Sequence, residues 1–228
     1  MAGILRELSF DVKPGITTES LDKKARELIS KNGVVPSFLG YKGYPAALCT
    51  SLNEEIIHTP PSGRVLVNGD IITLDLGVCF EGYHSDMAVT LPVGEVGAET
   101  MRLLKVCKKA LKRGVKKARD GSTTGDVGNT IERFVTSQGF SIVKNLCGHG
   151  IGRELHMKPD VPNVGRRGKG DVLSEGDTIC IEPMIAVGKG DIFEDKKTGA
   201  FLTRDGSLSS HFEHTVMIGR SSGKILTK

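Results

Sequence analysis

Gly69-Asp70-Ile71-Ile72-Thr73-Leu74-Asp75-Leu76-Gly77-Val78-Cys79-Phe80-Glu81-Gly82-Tyr83-His84-Ser85-Asp86-Met87-Ala88-Val89-Thr90 reads as a β-hairpin, and the rest of the chain is organised around it. Ile71 to Val78 alternates as a strand does, with Ile72 and Leu74 on one face and Thr73 and Asp75 on the other. Phe80-Glu81-Gly82 forms the turn, where Gly82 can take positive φ, and Tyr83 to Leu91 returns. With Phe80 and Glu81 as the central pair, Asp75 and Asp86 stand directly opposite each other. With Glu81 and Gly82 central, Asp86 moves one pair along and keeps the same face. Only an odd bulge, which Gly82 could host, would part them. Like charges projected side by side destabilise a sheet unless something neutralises them. A shared proton or a metal ion does so.

The chain has 228 residues, 38% hydrophobic and 25% charged, which suits a soluble globular protein with a substantial core. No apolar run approaches a membrane span. Arg6 and Glu7 interrupt the apolar start, so it is no signal peptide. Cys49, Cys79, Cys107, Cys147 and Cys180 are odd in number and widely spaced, which points to a reducing cytoplasm rather than a disulfide framework. Residues 101–120 hold nine Lys or Arg against one Asp, which leaves the remainder of this +4 chain acidic. Leu103, Leu104, Cys107, Leu111, Val115 and Ala118 recur there at helical spacing, so the lysines form the solvated face of an amphipathic helix.

Met1 to Ser9 reads as the last turns of a helix. Thr17 or Thr18 caps a second helix that runs to about Asn32 and ends at Gly33. Short strands and loops fill 34–68. After the hairpin and a connection over 92–97, a long helix reaches about Arg119. A repeat follows. Gly121-Ser122-Thr123-Thr124 matches Gly15-Ile16-Thr17-Thr18 at an offset of 106, and Val127, Ile131, Phe134, Val135 and Gly139 match Leu21, Ala25, Leu28, Ile29 and Gly33. Gly176 to Glu182 matches Gly69 to Asp75 at an offset of 107, so Cys180 and Glu182 take the places of Thr73 and Asp75. This period is too long for a solenoid. It implies two halves related by a pseudo-twofold axis, with Glu182 across the axis from Asp75. A counterpart of Asp86 is then expected on a strand returning after Glu182. Ser209 to Ile218 is that strand and carries Glu213, with Gly188 to Ser207 as the loop before it.

Four carboxylates cannot share a buried pocket as bare charges. One proton does not suffice, and two divalent cations bridged by two of the acids fit the count. The expected nitrogen donor is His149, in Cys147-Gly148-His149-Gly150-Ile151-Gly152, where the glycines allow close backbone approach.

Leu74-Asp75, His84-Ser85-Asp86, Gly148-His149-Gly150-Ile151-Gly152, Ile181-Glu182-Pro183-Met184 and Phe212-Glu213-His214-Thr215 resemble the metal-binding motifs of the methionine aminopeptidases, in order and over nearly the whole chain. The resemblance implies the pita-bread fold, an α/β (α+β) architecture of two pseudo-symmetric halves with a central antiparallel sheet and helices packed outside. A single catalytic domain over 1–228 is expected, with halves of about 1–95 and 98–228. It further implies that Asp75 chelates the first metal, that Asp86 and Glu213 bridge both, and that His149 and Glu182 complete the second. The 32 residues between His149 and Glu182 resemble the type I branch, which lacks a long helical insertion there. His58 and His156 correspond to the family's substrate-contacting pair, and Glu182 to its proton shuttle. Phe38, Tyr41, Tyr44, Cys49 and Leu155 correspond to the methionine pocket, whose soft walls suit a thioether. His84, His211 and His214 read as ordinary structural histidines; His211 shares Glu213's face by alternation, which could let it support a ligand, but nothing makes it one.

The chain departs from the family pattern in having Thr59 after His58, a large Phe38 where a small residue is usual, and Leu155 where an aromatic is usual. These departures bear on side-chain preference, since all five metal positions are intact. The implied activity is removal of an N-terminal methionine before a small second residue, by a hydroxide bridging two divalent ions. Mn²⁺ or Fe²⁺ suits a carboxylate-rich site with one His, which also accepts Co²⁺ or Zn²⁺. The expected partners are nascent chains and the ribosome, met by the basic helix, with no membrane and a monomeric chain. Two alternatives remain at this point. One is a proline-specific peptidase of the same fold, which typically carries an extra N-terminal domain that 228 residues do not accommodate. The other is a non-catalytic pita-bread binding protein, which would be expected to have lost ligands.

Overall fold

A computed structural model describes residues 1–228. In chain order the elements are α1 (Ala2–Asp11), α2 (Thr18–Lys31), β1 (Val35–Pro36), β2 (Leu48–Leu52), β3 (Glu55–Ile57), β4 (Ile71–Phe80) and β5 (Tyr83–Pro92). Then come α3 (Ala98–Lys117), α4 (Thr124–Ser137), β6 (Ser141–Ile142), β7 (Cys147–Gly150), β8 (Met157–Pro162), β9 (Thr178–Ile181) and β10 (Met184–Ala186). The chain closes with β11 (Ile192–Glu194), β12 (Phe201–Thr203), β13 (Ser209–His211), β14 (His214–Met217) and β15 (Lys224–Ile225). All strand pairings are antiparallel. No helix is long and apolar enough to cross a membrane.

The two halves repeat down to single hydrogen bonds. Thr17 caps α2 by accepting from the Ser20 N–H, and Thr123 caps α4 by accepting from the Asp126 N–H. The Gly15 and Gly121 N–H groups donate to the Leu66 and Leu173 carbonyls. Thr17 bridges Val65 as Thr123 bridges Val172. Before the central strands, Asp70 accepts from the Val67 N–H as Asp177 does from the Ser174 N–H. In each half two helices cover the outer face of the sheet. Ile72, Leu74, Leu76 and Val78 of β4 pack with Leu5, Leu8, Leu21 and Leu28 of α1 and α2. Ile179 and Ile181 pack with Leu103, Cys107, Leu111 and Ile131 of α3 and α4. Strand alternation then sends Asp75 and Glu182 to the opposite, inner face. Lys108, Lys109, Lys112 and Lys116 of α3 are exposed, as the amphipathic pattern requires.

Three details differ from, or decide between, the sequence expectations. First, the hairpin turns at Glu81 (φ 51°) and Gly82 (φ 79°), the paired left-handed geometry of a tight two-residue turn. Asp86 therefore lies opposite Gly77 and Ala88 opposite Asp75, the second of the two registers.

Second, Glu213 is not the symmetry mate of Asp86. The Gly69 N–H donates to Val93 as the Gly176 N–H does to Ile218, which equates β5 with the strand ending at 218. Counting back along both, Glu213 occupies the place of Ala88, and His211 that of Asp86. The β9–β14 and β10–β13 pairings share one register (Ile181 opposite His214, Met184 opposite His211), so Glu182 and Glu213 stand opposite each other.

Third, residues 188–207 are more than a loop. They form the β11–β12 hairpin, which pairs with β3 of the first half and brings Phe201 beside His58. No local signal marked this, because the partner strand lies far away in sequence.

Helix α4 lies directly on the backbone that follows β8. A Cβ on Gly128 would come within 2.5 Å of the Pro162 and Val164 carbonyl oxygens. Gly128→Ala would ordinarily gain about 1 kcal/mol of helix propensity, but overpacking costs about 1–3 kcal/mol. The variant is expected to melt several degrees below the parent by circular dichroism, at about 2–4 °C per kcal/mol for this chain length. A variant melting at or above the parent would contradict this close approach.

Candidate metal centre

Asp75 comes from β4, Asp86 from β5, Glu182 from the break after β9, and Glu213 from the break before β14. All four are buried, Glu213 to 2% exposure. One ligand atom from each of Asp75, Asp86 and Glu213 lies within 4.8 Å of the others, and the same holds for His149, Cys180 and Glu213. The His149 Nε2 is 3.7 Å from a Glu182 oxygen. Two overlapping clusters thus share Glu213, a layout that suits two cations.

The electrostatics make such neutralisation necessary. Burial, then Asp86 and Glu182, push the Asp75 carboxyl well above the usual range. Burial pushes Asp86 up to about 7, against the opposing help of the Met87 N–H. Burial and the surrounding acids do the same to Glu182 and Glu213. Asp75 Oδ1 and Glu213 Oε1 are buried with no hydrogen-bond partner. Orphaned oxygens among mutually repelling carboxylates are the donor set a hard or borderline divalent cation takes. The residues present therefore fit the group. Cys180 reaches the second cluster, but burial and Glu213 raise its thiol far above the ordinary value, so it stays protonated.

His149 is prepared as a ligand by its own strand. Its Nδ1 lies 2.8 Å from the Gly150 carbonyl, which can only accept, so Nδ1 carries the proton and Nε2 presents its lone pair to the cluster. The flanking glycines serve as expected. A Cβ at Gly148 would collide with the Cys180 carbonyl, and one at Gly150 with that of Lys158.

Beside the acids opens a cavity of about 490 Å³, lined by every residue the sequence singled out. Phe38, Tyr41, Tyr44, Cys49 and Leu155 form one wall. Phe38 lies where Gly77 has no Cβ, edge-on to Tyr44 with ring centres 6.4 Å apart. The Tyr44 hydroxyl donates to the Leu48 and Thr59 carbonyls, 3.2 and 3.1 Å away, which fixes this wall. His156 packs against His149 with ring centres 4.3 Å apart and ring planes tilted by 55°, and its Nδ1 is 2.9 Å from the Tyr41 hydroxyl. Burial, then His149, lower His156 to about 4. Burial, then Lys42, lower His58, which sits at φ 61°. Both imidazoles are neutral at pH 7, each with one N–H to donate.

Sequence reasoning passed over Phe201 and left His211 outside the site residues, and both line this cavity. Phe201 carried no local signal. For His211 the alternation with Glu213 was visible, and the structure places its Nε2 3.7 Å from Glu182 and 3.9 Å from Glu213. His84 instead turns away, its Nδ1 2.8 Å from the Ser37 hydroxyl, and His214 contacts the Thr227 hydroxyl at 3.0 Å.

These raised carboxyls set a pH dependence. An acid whose folded pKa is raised holds a proton that the unfolded chain has lost, so its folded state weakens as pH rises toward the folded value. The buried histidines have the opposite sign, but they are neutral in both states above about pH 7. Asp86, pushed up to about 7, still holds part of a proton at pH 7, so adding Mn²⁺ to chelator-treated protein there is expected to release protons and to raise the melting temperature. Mn²⁺ binding with no proton release would refute the assignment.

A family model described as metallopeptidase family M24 matches residues 2–220. A methionine aminopeptidase of Clostridium acetobutylicum is 44% identical over 98% of this chain and 90% of its own. The crystal structure of methionine aminopeptidase from Rickettsia prowazekii superposes with a TM-score of 0.98 at 37% identity, covering 100% of this chain and 92% of that one. A prolidase from Pyrococcus furiosus shares the fold at a TM-score of 0.78 and 23% identity, with 60% of its length covered. An intact set of buried acids, a primed histidine and whole-length similarity together place the chain among the methionine aminopeptidases of metallopeptidase family M24.

Proposed function

We propose that this chain removes the N-terminal methionine from nascent proteins and peptides whose second residue is small. The observation that carries the reading is the adjoining of two features: a cluster of four buried carboxylates and His149, and an aromatic, sulfur-containing cavity that ends on it. Asp75, Asp86, His149, Glu182 and Glu213 would hold two divalent cations, with Mn²⁺ or Fe²⁺ best matched to the donors. When bound, such ions supply Lewis acidity and lower the pKa of water to make a nucleophile at neutral pH.

The chain's own residues supply the rest. Phe38, Tyr41, Tyr44, Cys49 and Leu155 enclose the unbranched thioether side chain. The positively charged α-amine is drawn to the carboxylate cluster, which selects a free N-terminus. His58 and His156 stand on the rim with neutral rings and donate hydrogen bonds to the scissile amide as charge develops on its oxygen. Glu182 takes the proton from the attacking water and delivers it to the leaving amine.

The test compares cleavage of Met-Ala-Ser with that of Met-Pro and Ala-Pro dipeptides by the metal-loaded protein. Methionine release from the tripeptide is expected, and preferential cleavage of the dipeptides would favour the proline-specific reading. Asp86→Asn is expected to abolish tripeptide cleavage and to lower bound metal by elemental analysis. An active variant with two metals bound would refute the shared role of Asp86.

His156→Ala separates binding from chemistry. Its ring touches His149 but hydrogen-bonds only the Tyr41 hydroxyl, and the Gly150 carbonyl holds His149 in place, so metal content should be unchanged. Removing one transition-state donor lowers kcat about 10²–10³-fold in comparable sites. If metal is lost together with activity, His156 is a ligand.

A further inference from the structure

His211 is buried to 1% exposure, yet neither ring nitrogen has a hydrogen-bond partner. An imidazole always carries at least one N–H, and a buried donor left unmet destabilises the fold. Such groups in a core call for a specific explanation. The ring does not lack a partner because the backbone is loose. The Thr90 hydroxyl, from the other half of the molecule, accepts from the His211 N–H at 2.9 Å and lies 2.7 Å from its carbonyl. Thr73 lies 2.9 Å behind Thr90, and the Ser210 hydroxyl donates to Thr90 at 3.2 Å. The main chain is clamped, so the Cβ direction is fixed and the ring is held in the cavity wall.

Within salt-bridge range of Nε2 lie two acidic oxygens, Glu182 Oε2 at 3.7 Å and Glu213 Oε2 at 3.9 Å. These two residues stand opposite each other across the break in the second hairpin. His149, on the other side of Glu182, already spends its Nδ1 proton on Gly150 and offers only a lone pair. His211 is thus the imidazole placed to donate between the two glutamates. In the repeat it occupies the position that Asp86 holds in the first half.

We propose that His211 is a positioning residue that donates its Nε2–H to Glu182 and Glu213, holding both carboxylates in the orientation in which they bind cations. The proposal rests on the reading of these acids as the metal site. It makes His211 a partner of two ligands rather than a sixth ligand. Partners of this kind typically change metal affinity 10–100-fold when removed.

The experiment titrates Mn²⁺ into chelator-stripped protein by calorimetry, comparing the parent with His211→Leu, His211→Met and His211→Gln. Leu and Met fill the space without a donor, while Gln restores an N–H. Circular dichroism checks the fold of each variant, and Met substitutes for Leu if the Leu variant does not fold. The expected result is about 10-fold or greater weakening in the Leu or Met variant, two sites retained, and recovery to within about 3-fold of the parent in Gln. Parent-like affinity in a folded Leu or Met variant overturns the positioning role while leaving the metal site standing. So does a Gln variant as weak as Leu, and so does complete loss of one of the two sites in every variant, which would make His211 a ligand. A parent that binds no Mn²⁺ overturns the metal-site reading itself.

Discussion

The mutual repulsion of Asp75, Asp86, Glu182 and Glu213 in a buried cavity is the constraint on which the structure turns. Each is desolvated, and Asp86 raises the other three. A core can hold them only if the surrounding framework is rigid and a counter-charge is supplied. The rigidity comes from two helix pairs, each clamping the outer face of its own sheet through a separate apolar cluster. The acids then fall to the inner faces by strand alternation, and the counter-charge is a task for cations.

The seam between the halves joins apolar contacts, such as Ile56 and Ile57 with Val143 and Met184, to a set of hydrogen bonds. The Asp86 N–H donates to the Thr215 hydroxyl, which donates back to the Asp86 carbonyl at 2.9 Å. The Glu213 N–H reaches the Ala88 carbonyl at 2.9 Å, and Thr90 grips the main chain of His211. These bonds fix the backbone of acidic or site residues in one half to the other half. They are neutral, so they position the carboxylates without spending the negative charge that a cation needs.

The repeat has diverged where the chemistry differs. The first half gives the aromatic and thiol wall: Phe38, Tyr41, Tyr44 and Cys49. The second half gives His149, His156 and His211. Phe38 depends on Gly77, whose bare Cα leaves room for its ring, and Gly77 is the residue directly opposite Asp86. The side-chain pocket and the acid cluster are therefore built side by side on the same inner face of one strand pair, so that the pocket ends at the charges.

The sequence by itself determined the parts governed by short-range rules. Period-2 alternation put Asp75 and Asp86 on one face whichever register the turn chose. The two Gly-x-Thr-Thr caps and the Gly-Asp strand entries revealed the duplication, and with it Glu182. Glycines around His149 announced a backbone too close for side chains. The tertiary structure alone decided the features that depend on distant partners. The return strand of the second half is offset from simple symmetry, so Glu213 stands where Ala88 stands in the first. The segment 188–207 folds back as a hairpin onto β3 because an open strand edge is there to receive it. Sequence showed only that His211 shares Glu213's face; its place beside both glutamates became readable when Thr90, 121 residues away, was seen to fix its main chain and leave its ring unpaired. Local propensity and alternation act over a few residues, whereas a hydrogen bond closed across the whole chain leaves no trace in the residues beside it.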